Sequence, residues 1–481
     1  MKIGQRLAAL AGVIAMLSGC GGGGGGSSGG SASGTGGGTT ASTSGCSLRE
    51  RQDWAAAQLR EWYLFPDTLP AGLDPSGYAT VDAYVDALTA TARAQRKDRF
   101  FTYLTSIKSE DAYYDSGSSA GFGVRLSVDA AAGRAYIAEA FEGAPALAAG
   151  IDRGTEILAI GTNSGDLRTV SAIITAEGSA GVTNALGANT AGTTRLLRVK
   201  TAGVTSDVSV TKADYALTPV SSRYGAQIIN DGGRQVGYVN LRTFISTADP
   251  ALRAAFAQFR AAGITNVIVD LRYNGGGLVS IAELASDLMG AARSTSQVVD
   301  YVTFRSEKSS NNTTRLFQPQ PQSIAPMRLA FIGTGGTASA SELVINAQLP
   351  YFGANMALVG TNTYGKPVGQ IALDKAACDD RLRVIAFATQ NADRQGAYYD
   401  GLATVVKASC QAADDVTYQL GDPREASTRA ALNFLAGQSC TPIASSGDLT
   451  AQSVRTASAP RLELLTPDHP NTAQREVPGL F

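Results

Sequence analysis

Histidine is all but missing from this chain of 481 residues, with His469 as its single copy. It falls in a polar, proline-bearing stretch with no periodic apolar pattern, which argues against a Ser-His-Asp triad and against the commonest general base. Charge of one sign is lacking too. Lys and Arg number 40 against 41 Asp and Glu, a net of −1, which gives no reason to expect nucleic acid or an acidic membrane surface as partner. The uncharged apolar run from Leu7 to Leu17 is well short of the ~20 residues a spanning helix needs. Tryptophan occurs twice, as Trp54 and Trp62, both expected in a core, and cysteine five times. Glycine is what abounds, at 54 residues, with much of the excess in one place.

Lys2 and Arg6 precede the apolar run, which ends in Leu17-Ser18-Gly19-Cys20. A basic start, a short apolar core and small residues before a cysteine resemble a bacterial lipobox, so residues 1–20 are expected as a lipoprotein signal peptide and Cys20 as the lipidated residue. Gly21, not an aspartate, follows it, which by that resemblance implies the outer membrane, facing the periplasm of the bacterial envelope. Residues 21–45 are almost wholly Gly, Ser, Thr and Ala, a flexible linker with a root-mean-square reach of about 25–30 Å. Four cysteines remain: Cys46, Cys378, Cys410 and Cys440. In an oxidising compartment they suggest two disulfides, with three connectivities open. We expect Cys378–Cys410 as a local clip and Cys46–Cys440 joining the ends of the folded body. Their spacings match no usual zinc pattern, and no metal is expected.

Residues 46–111 read as an N-terminal helical region, since Leu48, Trp54, Leu59, Trp62 and Tyr63 recur at helix-like intervals. Over residues 112–214 the pattern changes to short β-prone runs between glycines, among them Gly121-Phe122-Gly123-Val124 and Glu156-Ile157-Leu158-Ala159-Ile160. With Gly143-Ala144-Pro145-Ala146 between them, this segment resembles a PDZ domain. There, converging N–H groups hold a peptide carboxylate and an open strand edge accepts an extended chain. The resemblance implies that Gly121, Phe122, Gly123 and Val124 bind substrate. Residues 215–440 alternate strands and helices, the mark of an α/β core around a buried sheet. Residues 441–481 turn polar again and are expected to be a loosely ordered C-terminal tail. The fold class is thus multidomain α/β.

The stretch Gly335-Gly336-Thr337-Ala338-Ser339-Ala340-Ser341-Glu342 follows a strand and opens a helix. Ser-x-x-Glu is a capping box in its own right. A serine at a helix N-terminus among small residues also suits a nucleophile, because the first N–H groups can hold an oxyanion. It needs a base, and lysine serves if neutral. Lys366 lies in Thr363-Tyr364-Gly365-Lys366-Pro367-Val368-Gly369-Gln370. Its pKa would have to fall from about 10.4 to near 7, about 4–5 kcal/mol of disfavoured charge, which desolvation in an apolar site can supply.

Ser-Ala-Ser-Glu after a glycine-rich strand end, then Thr-Tyr-Gly-Lys-x-x-x-Gln, and Asp270-Leu271-Arg272-Tyr273-Asn274-Gly275-Gly276-Gly277 together resemble the carboxyl-terminal processing protease family. The resemblance covers roughly residues 48–440 and implies a crotonase/Clp-like protease core beneath a helical cap. Residue by residue it implies Ser339 as nucleophile, Lys366 as general base, Gln370 as the group orienting the amine, and an oxyanion hole from the Ala340 N–H and Gly276. Ser341 is the alternative nucleophile. Two features depart from the family: a slightly longer Ser339–Lys366 separation near Leu349-Pro350-Tyr351, and Pro367 after the lysine.

The function this implies is a serine endopeptidase, needing no cofactor, for unfolded or loosely structured envelope proteins with apolar C-termini, held at the membrane through Cys20. A lipid-anchored, non-enzymatic PDZ scaffold is the main alternative, and a small-molecule hydrolase or binder on a crotonase-like core a second. The apolar end Pro478-Gly479-Leu480-Phe481 is of the kind such a groove accepts.

Overall fold

Short apolar runs that end in glycine or aspartate, alternating for the most part with helices, build the centre of the computed structural model. It describes residues 45–444, 462–467 and 469–481. The expected signal peptide, Cys20 and linker residues 21–44 lie outside the described residues. A six-stranded sheet runs in the spatial order Ala226–Asp231, Arg234–Asn240, Asn266–Asp270, Arg328–Gly333, Met356–Gly360, Ser409–Gln411. The first two strands form an antiparallel hairpin and all later neighbours are parallel. Buried on both faces, its strands read as near-continuous apolar runs. Val267, Val269, Leu329, Phe331 and Leu358 face the helices Ala248–Ala261, Val279–Leu288 and Ala340–Phe352. Ile268, Ala330, Ile332, Ala357 and Val359 face the helix Ala426–Leu435.

A second sheet is organised around the long strand Asp380–Gln390, which pairs with Val368–Lys375, Tyr103–Ser106 and Val298–Phe304. The N-terminal helices Leu48–Trp62 and Val81–Leu88 pack on it through Leu59, Tyr63, Val85, Leu382 and Val384, with Trp54 and Trp62 partly buried at the margin. The N-terminal helical region therefore also contributes a strand, Tyr103–Ser106, to this sheet.

A third sheet is formed mainly by Val124–Asp129, Arg134–Ala140, Glu156–Gly161, Thr194–Thr201 and Val204–Thr211, with the helix Val170–Leu186 against it. It sits within the segment expected as a PDZ domain. Its Val124–Asp129 edge is paired by Glu463–Leu464, from the far end of the chain.

Two expectations are corrected. The described part of 441–481 is not a loose tail: Leu465, Val477, Leu480 and Phe481 are buried, and Thr472–Glu476 forms a helical turn. Leu465, the closely spaced apolar residues Val477, Leu480 and Phe481, and backbone pairing hold a segment whose composition is otherwise largely polar. The cysteines pair as Cys46–Cys378 and Cys410–Cys440. Cys46 precedes a helix packed on the strand next to Cys378, whereas Cys410 sits in the core beside the segment that carries Cys440.

Candidate active site

The strands Asn266–Asp270, Arg328–Gly333 and Met356–Gly360 are parallel, so their C-terminal ends deliver three loops to one place, where parallel α/β sheets characteristically hold their sites. Those loops carry the Asp270–Gly277 turn, the approach to Ser339, and Lys366.

The first loop is set by its own polar residues. Arg272, fully buried, pairs with Asp270 and with Glu425, both at 2.9–3.0 Å. Asn274 donates from Nδ2 to Leu241 O at 2.8 Å and accepts the Gly276 N–H at 2.9 Å. A Cβ at Gly276 would lie 2.8 Å from Ser339 Cβ, and its φ of 122° disfavours any side chain, so glycine here lets the turn press against the serine. Gly276 was expected at the oxyanion hole, but its N–H faces Asn274. The turn amide that meets a peptide carbonyl is that of Gly275, which donates to Glu476 O at 2.9 Å.

Ser339 caps the helix Ala340–Phe352 at φ 55°, a conformation costing a non-glycine residue about 1–3 kcal/mol. It is partly exposed, and the Ala340 N–H that follows it has no acceptor among the described residues. Ser341 is fully buried and donates to Asn274 O at 3.0 Å, a bond within the scaffold that leaves Ser339 as the accessible hydroxyl.

Lys366 Nζ donates to Gln370 Oε1 at 2.9 Å and stands 5.1 Å from the centre of the Phe101 ring. Gln370 is held in turn by its Nε2 bond to Phe101 O. Burial pulls the Lys366 pKa below its ordinary value, opposed by the Glu476 carboxylate nearby. Among the described residues Lys366 Nζ makes no hydrogen bond to Ser339. The two residues are joined through Glu342, whose carboxylate accepts the Ser339 N–H at 3.1 Å, the Lys366 and Gly365 N–H groups at 2.7 Å and Thr363 Oγ1 at 2.6 Å. Arg99 clasps the same loop by donating to Tyr364 O and Gly365 O at 2.7 and 2.6 Å. Neither Arg99 nor the reach of Glu342 beyond its own helix was foreseen. Both bonds cross long stretches of sequence and leave no local pattern.

The Gly121–Val124 loop holds an extended chain. Gly123 and Val124 donate to Phe481 O at 2.9 and 3.2 Å, and a Cβ at Gly121 would lie 2.7 Å from the Phe481 carbonyl carbon. Phe122 is buried in the same apolar cluster of this sheet as Phe481. Lys366, Gly275, Ala338, Leu464, Glu476 and Pro478 help line one cavity of about 660 Å³.

Residues 235–395, which include all three loops, match Peptidase family S41. The chain is 29% identical over 261 residues to a carboxyl-terminal-processing protease of Picosynechococcus sp., covering 52% of this chain and 55% of that protein. Against the carboxy-terminal processing protease CtpA of Bacillus subtilis it is 24% identical over 293 residues, covering 60% and 57%. In fold it is similar to a crystal structure of a putative S41 protease from Bacteroides fragilis, with a TM-score of 0.61, 23% identity and coverage of 80% of this chain and 97% of that one. Residues 235–395 are therefore similar to an S41 peptidase domain. The chain is similar to carboxyl-terminal processing proteases, and it spans about half the length of the curated relatives it matches.

Proposed function

We propose that the chain is a serine endopeptidase in which Ser339 attacks the scissile carbonyl and Lys366, as the neutral amine, takes its proton. The observation that carries this reading is the Lys366 amine set against the Phe101 ring with Gln370 Oε1 as acceptor, on a loop joined to the Ser339 backbone by one buried carboxylate. An apolar surrounding favours the uncharged amine, and Gln370 fixes where its lone pair can point.

In the first step a bond forms between Ser339 Oγ and the carbonyl carbon while the proton moves to Lys366. The oxyanion is met by the Ala340 N–H and an amide of the glycine turn, Gly275 being the one already on a carbonyl. The C–N bond then breaks, Lys366 returns the proton to the leaving amine, and water cleaves the remaining ester. The Gly121–Val124 loop acts as a PDZ-type groove for protein ends with an apolar last residue, seated as Phe481 is here. The N-terminal features add a lipid anchor at Cys20 and placement at the outer membrane, facing the periplasm.

The test incubates the full chain and its Ser339→Ala variant with an unfolded protein bearing an apolar C-terminus, with fragments read by mass spectrometry. Cleavage by the unaltered chain alone is expected. Binding by both with cleavage by neither would establish a scaffold instead.

A further inference from the structure

Residues 471–481 touch the groove and the cleft at once. Beyond the Phe481 oxygen on Gly123 and Val124, the Phe481 N–H donates to Val124 O at 2.9 Å and Leu126 N–H to Gly479 O at 2.8 Å, with Leu480 bridged antiparallel to Arg125. The segment thus adds a strand to the sheet edge, the mode by which such edges take peptides. Phe481 and Leu480 are each 1% exposed and sit in two different apolar clusters. Gln474 Nε2 folds back to Leu480 O at 3.0 Å, which braces the turn between the two contact regions.

Five residues upstream of Phe481 the same chain lies on the glycine turn. The Glu476 carbonyl takes the Gly275 N–H, and the Arg475 carbonyl is so close that a Cβ on Gly275 would come within 2.1 Å of it. Arg475 stacks 3.8 Å from the Tyr103 ring centre and donates to Phe100 O at 2.8 Å. Glu476 is buried, with Oε1 accepting from Tyr114 and Oε2 without a partner among the described residues. Its charge favours the protonated Lys366 amine.

We propose that the segment 471–481 is an intramolecular competitor that fills the peptide groove and covers the glycine turn beside Lys366, and that protein ends with a bulky apolar last residue open the site by displacing Phe481. The proposal rests on the peptidase reading for its effect on turnover, though not for its effect on binding. Two consequences follow from one docking event. The groove is closed to other peptides, and a carboxylate is held where it opposes loss of the Lys366 proton. A tethered ligand competes at an effective concentration of order millimolar, so against an intrinsic Kd of about 10 µM the docked state would outnumber the free one by about 100 to 1.

The experiment uses the full chain carrying Ser339→Ala, with and without Phe481→Asp, and a fluorescein-labelled peptide copying residues 471–481. Phe481→Asp places a charge where an aromatic ring is buried, which releases the segment and leaves the groove residues intact. The peptide is expected to bind the released form 10- to 100-fold more tightly by anisotropy. In the active background Phe481→Asp is expected to raise turnover of unfolded casein at least tenfold, and Glu476→Gln to raise it less while leaving peptide binding unchanged. Equal peptide affinity in the two forms overturns the proposal, even if both active chains cleave casein and the peptidase reading stands. Tighter binding with no cleavage by any form supports the docking and defeats the peptidase reading. Should Phe481→Asp fail to fold, hydrogen exchange on the unaltered chain decides: excess unlabelled peptide is expected to speed exchange at Gly275 and Phe481, and unchanged exchange there at saturating peptide overturns the proposal.

Discussion

The Lys366 backbone N–H donates to Glu342 at 2.7 Å, and the carboxylate oxygen that receives it also receives the Ser339 N–H at 3.1 Å. One buried side chain thus fixes the position of the candidate base relative to the candidate nucleophile. Glu342→Gln keeps the volume but replaces one acceptor oxygen with a donor, so at least one of the four groups it serves meets another donor. We expect a stability loss of about 1–3 kcal/mol in urea unfolding and a fall in turnover of at least tenfold. Turnover equal to the parent in a folded Glu342→Gln protein would sink the positioning role.

The pH dependence should report Lys366. Burial lowers its pKa, so the neutral fraction, and with it kcat/KM, rises with pH through a limb below the ordinary lysine range. Lys366→Arg keeps the charge and approximate size but cannot lose its proton, and is expected to remove activity across that range. Gln370→Ala releases Nζ from its acceptor and should lower kcat about tenfold with KM little changed. A pH–rate profile that keeps its shape in Lys366→Arg would exclude the lysine as base.

The glycine turn offers a matched pair of substitutions. A Cβ at Gly276 meets Ser339 Cβ at 2.8 Å and an unfavourable φ, whereas a Cβ at Gly335, on the opposite approach to the serine, meets nothing within 4 Å. Gly276→Ala should therefore lower turnover at least 100-fold and reduce thermal stability, and Gly335→Ala should leave both near the parent. Equal effects from the two would mean that the close approach to Ser339 has no consequence.

What was legible beforehand divides along the range of the interactions. The strands Arg328–Gly333 and Met356–Gly360 are apolar runs that end in glycine, which is why 215–440 reads as alternating strands and helices. Ser339, Lys366 and Gln370 could be singled out as candidates because each sits in a recognisable motif, and the contact between Lys366 and Gln370 is local, four residues apart in sequence. The sheet around Asp380–Gln390 was not legible, since its partners come from as far away as Tyr103, and its outer strand Val368–Lys375 is buried only at its first two residues and carries no strong apolar run. Ser-x-x-Glu reads as a local cap, so nothing in it announces that Glu342 reaches the loop at 363–366. The cysteine spacings likewise carry no ranking of pairings, and the pairing expected from them was wrong. The docking of 471–481 was legible only in its apolar end, Pro478-Gly479-Leu480-Phe481, whereas the contact of Arg475 and Glu476 with the glycine turn leaves no local pattern.

Asp300 allows a test of stability independent of activity. It lies on the strand Val298–Phe304, is 2% exposed, and neither carboxylate oxygen has a hydrogen-bond partner among the described residues. Burial, aided by the nearby Glu283 charge and opposed by Arg315, raises its pKa to about 7. An unfolded aspartate loses its proton near pH 3.9. Between those values the native state binds a proton that the unfolded chain has released, so stability falls as pH rises. The group's favourable contribution is complete below about pH 4 and has gone above pH 7, a difference of about 4 kcal/mol. Asp300→Asn fills the same space without a charge to lose. Its advantage over the parent in urea unfolding should be near zero at pH 4 and grow to several kcal/mol by pH 8. A stability difference that stays flat across that range would mean the carboxyl is solvated or paired in the native protein, and the slope would then have to come from Glu283 and Asp287, whose pKa values burial also raises.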